Sequence, residues 1–279
     1  MSKRIVSEHF NSIYELVQTC ATRENSEAME GQDSSEETEG KSGTWYKTTN
    51  FDHAKSVFLH GYTDILKDVL DGVTRSVKLN SDLSSSSKSI PKNNIIGYAP
   101  NVPRAILGLP DSMINIDRTV HKVKTINVLY VSTVNCGVGG SDVVKAGIAL
   151  LSAIKIIELS GVFVNLSVAC KCSTVGSEAC LCTVKLKNYD ERLDLQKLCF
   201  PIAHPSMQRR FGFKWLETCP NITSREWRGG YGRTYESLEE IRKELQIRPE
   251  LRLLNAYWVM EHNCDVNEII KYLKNGELK

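Results

Sequence analysis

Residues Ile126 to Val168 read INVLYVSTVNCGVGGSDVVKAGIALLSAIKIIELSGVFVNLSV. An apolar run is followed by a glycine-rich turn, a long segment with apolar residues at helical spacing, a Ser-Gly stop and a second apolar run. That order calls for a β-strand, a loop, an α-helix and a second strand parallel to the first, because a helical crossover returns the chain in the same direction. The helix is expected to start near Ser141 and to end at Ser160-Gly161, with glycine as the stop. Val162–Cys172 and Cys180–Lys187 are then two strands joined by STVGSEA.

On the N-terminal side, Phe10, Ile13, Tyr14, Leu16 and Val17 predict a helix over Ser7–Thr22, capped by Ser7 or Asn11. Glu24–Gly43 has seven acidic residues and no aromatic or branched aliphatic side chain. It offers too little apolar surface to offset ordering and reads as a disordered acidic insertion. Asn50–Val73 carries an apolar stripe for one long helix, kinked at Gly61, and Asn80–Ser89 is a polar linker. Gly97–Met113 sets three prolines and two glycines among apolar residues, which suggests a rigid loop lying on the core. Strands are expected at Ile114–Lys124 and Ile126–Ser132.

Beyond the hairpin, LDLQKLCF and HPSMQRRFGFKWLETC are helices and PNITSREWRGGYGRT is a loop. Thr234–Gln246 is a helix in which Ser237 and Glu240 form a capping box. LRLLNAYWVM reads as a last buried strand, and Asp265 caps a final helix ending at Asn275. Strands alternating with helices imply an α/β fold: a mainly parallel sheet with helices on both faces, plus a helical N-terminal extension. The expected organisation is an N-terminal helix over 1–23, the acidic insertion over 24–43, a helical and proline-rich segment over 44–112 and the α/β core over 113–279. With 279 residues, 41% of them hydrophobic, the chain can bury such a core. Its net charge of +2 demands no polyanionic partner. No apolar run is long enough for a membrane span and no apolar stretch follows the basic N-terminus, so a cytoplasmic location is expected. The nine cysteines are then reduced thiols.

Four places attract chemistry. The first is the loop Ser132–Asp142, with Asn135, Ser141 and Asp142. It lacks the Gly-Lys of a phosphate loop, and Gly137, Gly139 and Gly140 give only part of a Rossmann-like glycine pattern. Its position resembles the metal loop of von Willebrand factor A domains, where D-x-S-x-S follows the first strand. Here that register is Ser132-Thr133-Val134-Asn135-Cys136, without the aspartate or either serine oxygen of the motif. A tight turn is expected and no metal site. The second is the pair Cys170/Cys172 and Cys180/Cys182. Four thiols on one face of a hairpin suggest zinc, but C-x-C on flat strands splays the sulfurs, and a thiol-lined core face is the preferred reading. The third is His204 with Arg209 and Arg210. Helix geometry places Arg210 on the face of Met207 and Phe213 as an inward structural residue and leaves Arg209 exposed for a partner or anion. The fourth is Arg225, Trp227, Arg228, Tyr231 and Arg233, arginines and rings suited to stacking on bases or holding phosphates.

GYAPNVPRAILGLPDSM, AHPSMQRRFGF and WYKTTNFDHA together resemble uncharacterised tailed-bacteriophage proteins, a family known as a domain of unknown function. The resemblance covers most of the chain from Trp45 onward. It implies a phage origin and a degenerate von Willebrand A-like core, and supplies no catalytic residue. The expected function is non-catalytic protein binding in the infected cell, in assembly, host takeover or anti-defence. The expected partner is a phage or host protein, an AAA+ ATPase among the candidates. Nucleic-acid binding or processing through residues 225–233 is the competing class, and an enzyme ranks third. No cofactor, metal or catalytic residue is assigned.

Overall fold

The chain joins its main sheet at once. In the computed structural model, which describes residues 3–37, 45–79, 92–115, 124–234, 237–248 and 250–276, Arg4–Phe10 is a strand, β1, followed by helix α1 (Ile13–Thr22). The expected N-terminal helical extension is thus corrected to an edge strand plus a shorter helix. Val6 and Phe10 turn inward while Ile5, Ser7 and His9 turn out, a period of two. Ser12 is the cap, its side chain accepting from Glu15 N.

Helices α2 (Phe51–His60) and α3 (Leu66–Leu79) replace the single predicted helix. Gly61, at φ 83°, breaks the chain between them instead of bending it. A small antiparallel sheet follows, made of β2 (Lys92–Asn94), β3 (Ala99–Pro100) and β4 (Met113–Asn115) in the order β2-β4-β3, with the short helix α4 (Val102–Ile106) between β3 and β4. The linker predicted at 80–89 lies outside the described residues. So do residues 116–123 of the strand expected over Ile114–Lys124.

The central unit forms as its pattern requires: β5 (Lys124–Val131), α5 (Gly140–Leu159) and β6 (Val162–Ser173). β7 (Glu178–Lys187) returns antiparallel to β6. Helix α6 (Leu195–Ala203), a π-helical turn at Met207–Gly212, α7 (Phe213–Thr218), α8 (Leu238–Glu244), β8 (Leu251–Asn255), α9 (Ala256–Glu261) and α10 (Val266–Asn275) complete the chain. The predicted last strand ends at Asn255, whose side chain caps α9 by accepting from Trp258 N.

The main sheet has the order β1-β7-β6-β5-β8. β1 runs parallel to β7, and β5 parallel to both β6 and β8; only the β6–β7 hairpin is antiparallel. The fold is α/β with a mixed, mostly parallel sheet. On one face Val128, Tyr130, Val164 and Val168 join a large core with residues of α1, α5, α6 and α10. On the other, Leu129, Val131, Ala169 and Leu253 pack on Leu238 and Ile241 of α8. Lys171 and Glu244 form an ion pair across that second layer. Helix α5 is buried along most of its length, with α3, α6, α9 and α10 packed about it. At Gly147 a Cβ would lie 2.4 Å from Ala203 Cα, so only glycine permits α5 and α6 to approach this closely.

Candidate functional site

The loop after β5 is tied down residue by residue. Ser132 Oγ donates to Ala169 O, and Thr133 Oγ1 accepts from Lys171 N. Gln208 grips Val134 with both ends of its amide, accepting from Val134 N at 2.9 Å and donating to Val134 O at 2.8 Å. Asn135 N donates to Tyr257 Oη, and Asn135 Oδ1 accepts from Gly137 N to make an Asx turn. The oxygens in the metal-loop register are therefore occupied by backbone partners. Ser141 and Asp142 lie away from this network in the first turn of α5, where Asp142 pairs with Lys145 at 3.3 Å.

Beneath the loop lies the π-helical turn. Arg209 and Arg210 are both 0% exposed, which corrects the expectation that Arg209 faces solvent. The wheel used to separate them assumes α-helical spacing, whereas a π turn changes the angle between neighbours. In addition, two N-terminal segments cover the side that an isolated helix would expose. Arg209 donates to Trp45 O and Val138 O, and its guanidinium lies 4.0 Å from the Trp45 ring centroid. Arg210 donates to Ser34 O, Glu36 O, Thr48 O and Thr49 O and stacks on Tyr46 at 4.0 Å. Burial lowers the Arg209 pKa to about 10.

These bonds also correct the disorder expected for the acidic segment, as far as it is described. Over 24–37 it forms a 3-10 turn at Glu27–Met29, buries Ala28 and Met29, and brings Ser34 N to Glu217 Oε1 at 2.7 Å. Sequence composition counts apolar side chains and does not register backbone carbonyls that satisfy buried cations. Residues 38–43 lie outside the described part. His204 is buried between Tyr62 and Phe200, and its Nδ1 accepts from Ser206 N at 3.1 Å. Burial, with Lys47 and His53 adding to it, lowers its pKa to about 3. It is a neutral core side chain, not a surface for an anion.

The arginine-rich loop splits. Trp227 is 0% exposed and donates its indole N–H to Glu178 Oε2 at 2.9 Å. Glu178 also receives Arg4, Thr223 and Ser224, and these hydrogen bonds hold its carboxyl below the usual range against the burial that opposes them. Tyr231 stacks on Phe213 at 3.9 Å and donates to Glu217 Oε1 at 2.6 Å. The Trp227 ring is thus unavailable to bases, which corrects its assignment as a stacking residue. Arg225 and Arg228 are exposed, with Arg228 3.7 Å from Glu30.

Arg233 goes elsewhere. With Asn135 and Tyr231 it borders a cleft of about 540 Å³, whose wall also includes Trp45, Phe213 and Thr234. The cleft opens where the carboxyl end of β5 meets the turn after Trp227, and it joins residues from two of the sequence candidates. Gly232 makes that turn. It has φ 76°, and a Cβ there would lie 2.6 Å from Ser173 O and 2.7 Å from the Trp227 ring.

The hairpin cysteines lie in direct register, Cys170 opposite Cys182 and Cys172 opposite Cys180. All four are buried in the large core, and burial raises the pKa of Cys170, Cys180 and Cys182. Among the described residues no group of three or more His, Cys, Asp or Glu is placed to hold a metal ion.

One surface escaped the sequence reading. The proline-rich segment does not lie on the core. Ile95, Ile96, Tyr98, Val102, Ile106 and Leu107 are all exposed, with Ile96 at 78%, Ile106 at 79% and Leu107 at 73%. They ride on the β2-β4-β3 lobe, where Arg104 pairs with Asp111 and Asn101 bonds to Asn93. The proline spacing supplied the order, but an apolar segment without period two or 3.6 carries no signal for which side is wet.

Fold and surface together define an α/β protein with a mixed sheet, a tied-down loop at the end of its central strand, and an exposed apolar lobe. A family model described as a domain of unknown function, DUF7192, matches residues 1–274, and the chain belongs to that family. No curated protein and no solved structure matches the chain. Among the described residues no helix is long and apolar enough to cross a membrane.

Proposed function

We propose that this chain is a phage-encoded protein that binds another protein in the cytoplasm of the infected cell, through the apolar lobe of residues 92–115. The exposed apolar residues of that lobe carry the reading. Apolar side chains gathered on one outlying element mark a site that another surface covers. The chemistry of the lobe points to a protein. Its charged side chains from Lys92 to Asn115 are Lys92, Arg104 and Asp111, and the last two pair with each other. Nucleic acid and anionic lipid both call for a concentration of cations, which the described residues of this lobe do not provide. A charge-poor apolar centre is instead the composition of a protein interface core. The strand, loop and helix at the centre of the sheet support the degenerate von Willebrand A-like reading, with the loop's remaining polar side chains in structural use. An AAA+ ATPase remains among the candidate partners. The burial of Trp227 weighs against the nucleic-acid alternative.

A photo-cross-linking residue at position 106, compared with one at the exposed position 175 on the β6–β7 turn, tests the reading in infected cells. One protein species captured at 106 and not at 175 is the expected result, followed by complex formation with that protein after purification. Equal capture at both positions, or a purified product that does not bind, overturns it. A second copy of the chain as the captured species replaces the partner reading with self-association. A mobility shift of DNA or RNA with a steep salt dependence supports the nucleic-acid alternative instead.

A further inference from the structure

We propose that the cleft between the loop at 132–139 and the turn at 231–234 binds a small planar organic anion, a flat ring carrying a phosphate or carboxylate group. The proposal goes beyond protein binding and rests on residues outside the lobe. At about 540 Å³ the cleft is well within the size range of small-molecule sites. Its position outside the carboxyl end of a central parallel strand is where open α/β sheets place ligands.

The lining sets the ligand's chemistry. Trp45, Phe213 and Tyr231 give aromatic walls, and among the described residues no aspartate or glutamate lines the cleft. The available polar groups are mostly donors. Arg233 is exposed and, among the described residues, pairs with no carboxylate. Its backbone is fixed by two hydrogen bonds with Ser173, of 2.9 and 2.7 Å, so the base of the side chain is held in place. Asn135 uses its Oδ1 on Gly137 N, which leaves its amide hydrogens for a ligand. An aromatic body matches the walls, and an acceptor-rich anionic end matches the arginine and amide donors. A cation or a neutral alkane matches neither.

Titration calorimetry with the full chain tests this. The probes are adenosine and uridine 5′-monophosphates, indole-3-carboxylate, the neutral counterparts adenosine and indole, and inorganic phosphate alone. At least one ring-bearing anion is expected to bind, with its neutral counterpart weaker by about tenfold or more. Nucleotide binding without indole-3-carboxylate binding identifies a phosphate ligand, and the reverse identifies a carboxylate. Arg233→Gln is expected to weaken binding by about tenfold. Arg228→Gln, on the same loop but outside the cleft, is expected to leave it unchanged. Cys136 is exposed and lines the cleft, so a bound ligand should also slow its alkylation, a readout that requires no variant. Failure of every ring-bearing anion to bind at about 1 mM, a weak affinity near 4 kcal/mol, overturns the proposal. So does equal weakening by Arg233→Gln and Arg228→Gln, which would signify a diffuse charge effect. The lobe and its partner are untouched by either outcome.

Discussion

Arg209 and Arg210 show how two adjacent buried cations can draw much of their hydrogen bonding from the main chain. Both aim terminal guanidinium nitrogens at main-chain oxygens, and through them the π turn holds residues 34–36, 45 and 48–49 against the core. Removing either strands buried carbonyls, at about 1–3 kcal/mol for each group left unsatisfied. Arg210→Ala is therefore expected to cost more than about 3 kcal/mol, and Arg209→Ala a loss of comparable order, in urea unfolding. Lysine at either position should restore little, because one ammonium cannot reproduce the planar fork. A negligible loss at Arg209 would return it to the surface role the helical wheel suggested. His204 adds a pH term. Its folded pKa of about 3 lies below the ordinary value of 6.5, so the unfolded chain binds the proton first. The neutral imidazole's contribution is fully present above pH 6.5 and is lost as pH falls from there toward 3, at about 1.4 kcal/mol per unit. His204→Gln should flatten the stability profile across that window relative to the parent chain. Parallel profiles would show that His204 is not the source.

At the scale of elements, local patterns are legible in the sequence and distant partners are not. β5, α5 and β6 follow one another, and each boundary has its own signal in the glycine loop or at Ser160-Gly161. The capping box at Ser237 and Glu240 and the Asp265 cap are likewise local and formed as expected. The sequence predicts helix where β1 forms because Phe10, Ile13, Leu16 and Val17 satisfy helical spacing across the strand–helix junction. Its partner β7 lies some 174 residues away, as in Arg4 opposite Glu178. The alternation of β1 can be tested directly. Val6→Asp should cost more than about 3 kcal/mol by burying a carboxylate, while Ile5→Asp, one residue along, should cost less than about 1. Similar losses at both would favour the helical reading. The hairpin thiols make a second test at this scale. Seven cysteines are buried, Cys264 is half-buried and Cys136 is exposed. Thiol titration of the native protein should find Cys136 fast, Cys264 slower and the seven only on unfolding. Rapid reaction at Cys170 or Cys182 would mean that the hairpin does not face the core.

For the whole molecule, the chemistry-bearing side chains that stood out in the sequence divide by depth. His204, Arg209, Arg210, Trp227 and the hairpin cysteines build the interior, whereas Asn135, Tyr231 and Arg233 meet at one cleft. Spacing alone does not separate the two sets, because burial depends on the N-terminal segments that fold back over the π turn. The lobe of residues 92–115 behaves oppositely: apolar residues that composition assigns to the core are held in water. Its role follows from that exposure and is best measured with Ile96→Asp/Ile106→Asp. Neither side chain supports the core, so the thermal midpoint should stay within about 2 °C of the parent, the shift expected of a surface change. Titration of the protein captured at position 106 into the parent and the double variant then decides. The account expects the variant to bind about a hundredfold more weakly, near 2.7 kcal/mol, with its fold intact. Unchanged affinity in a folded double variant would contradict it.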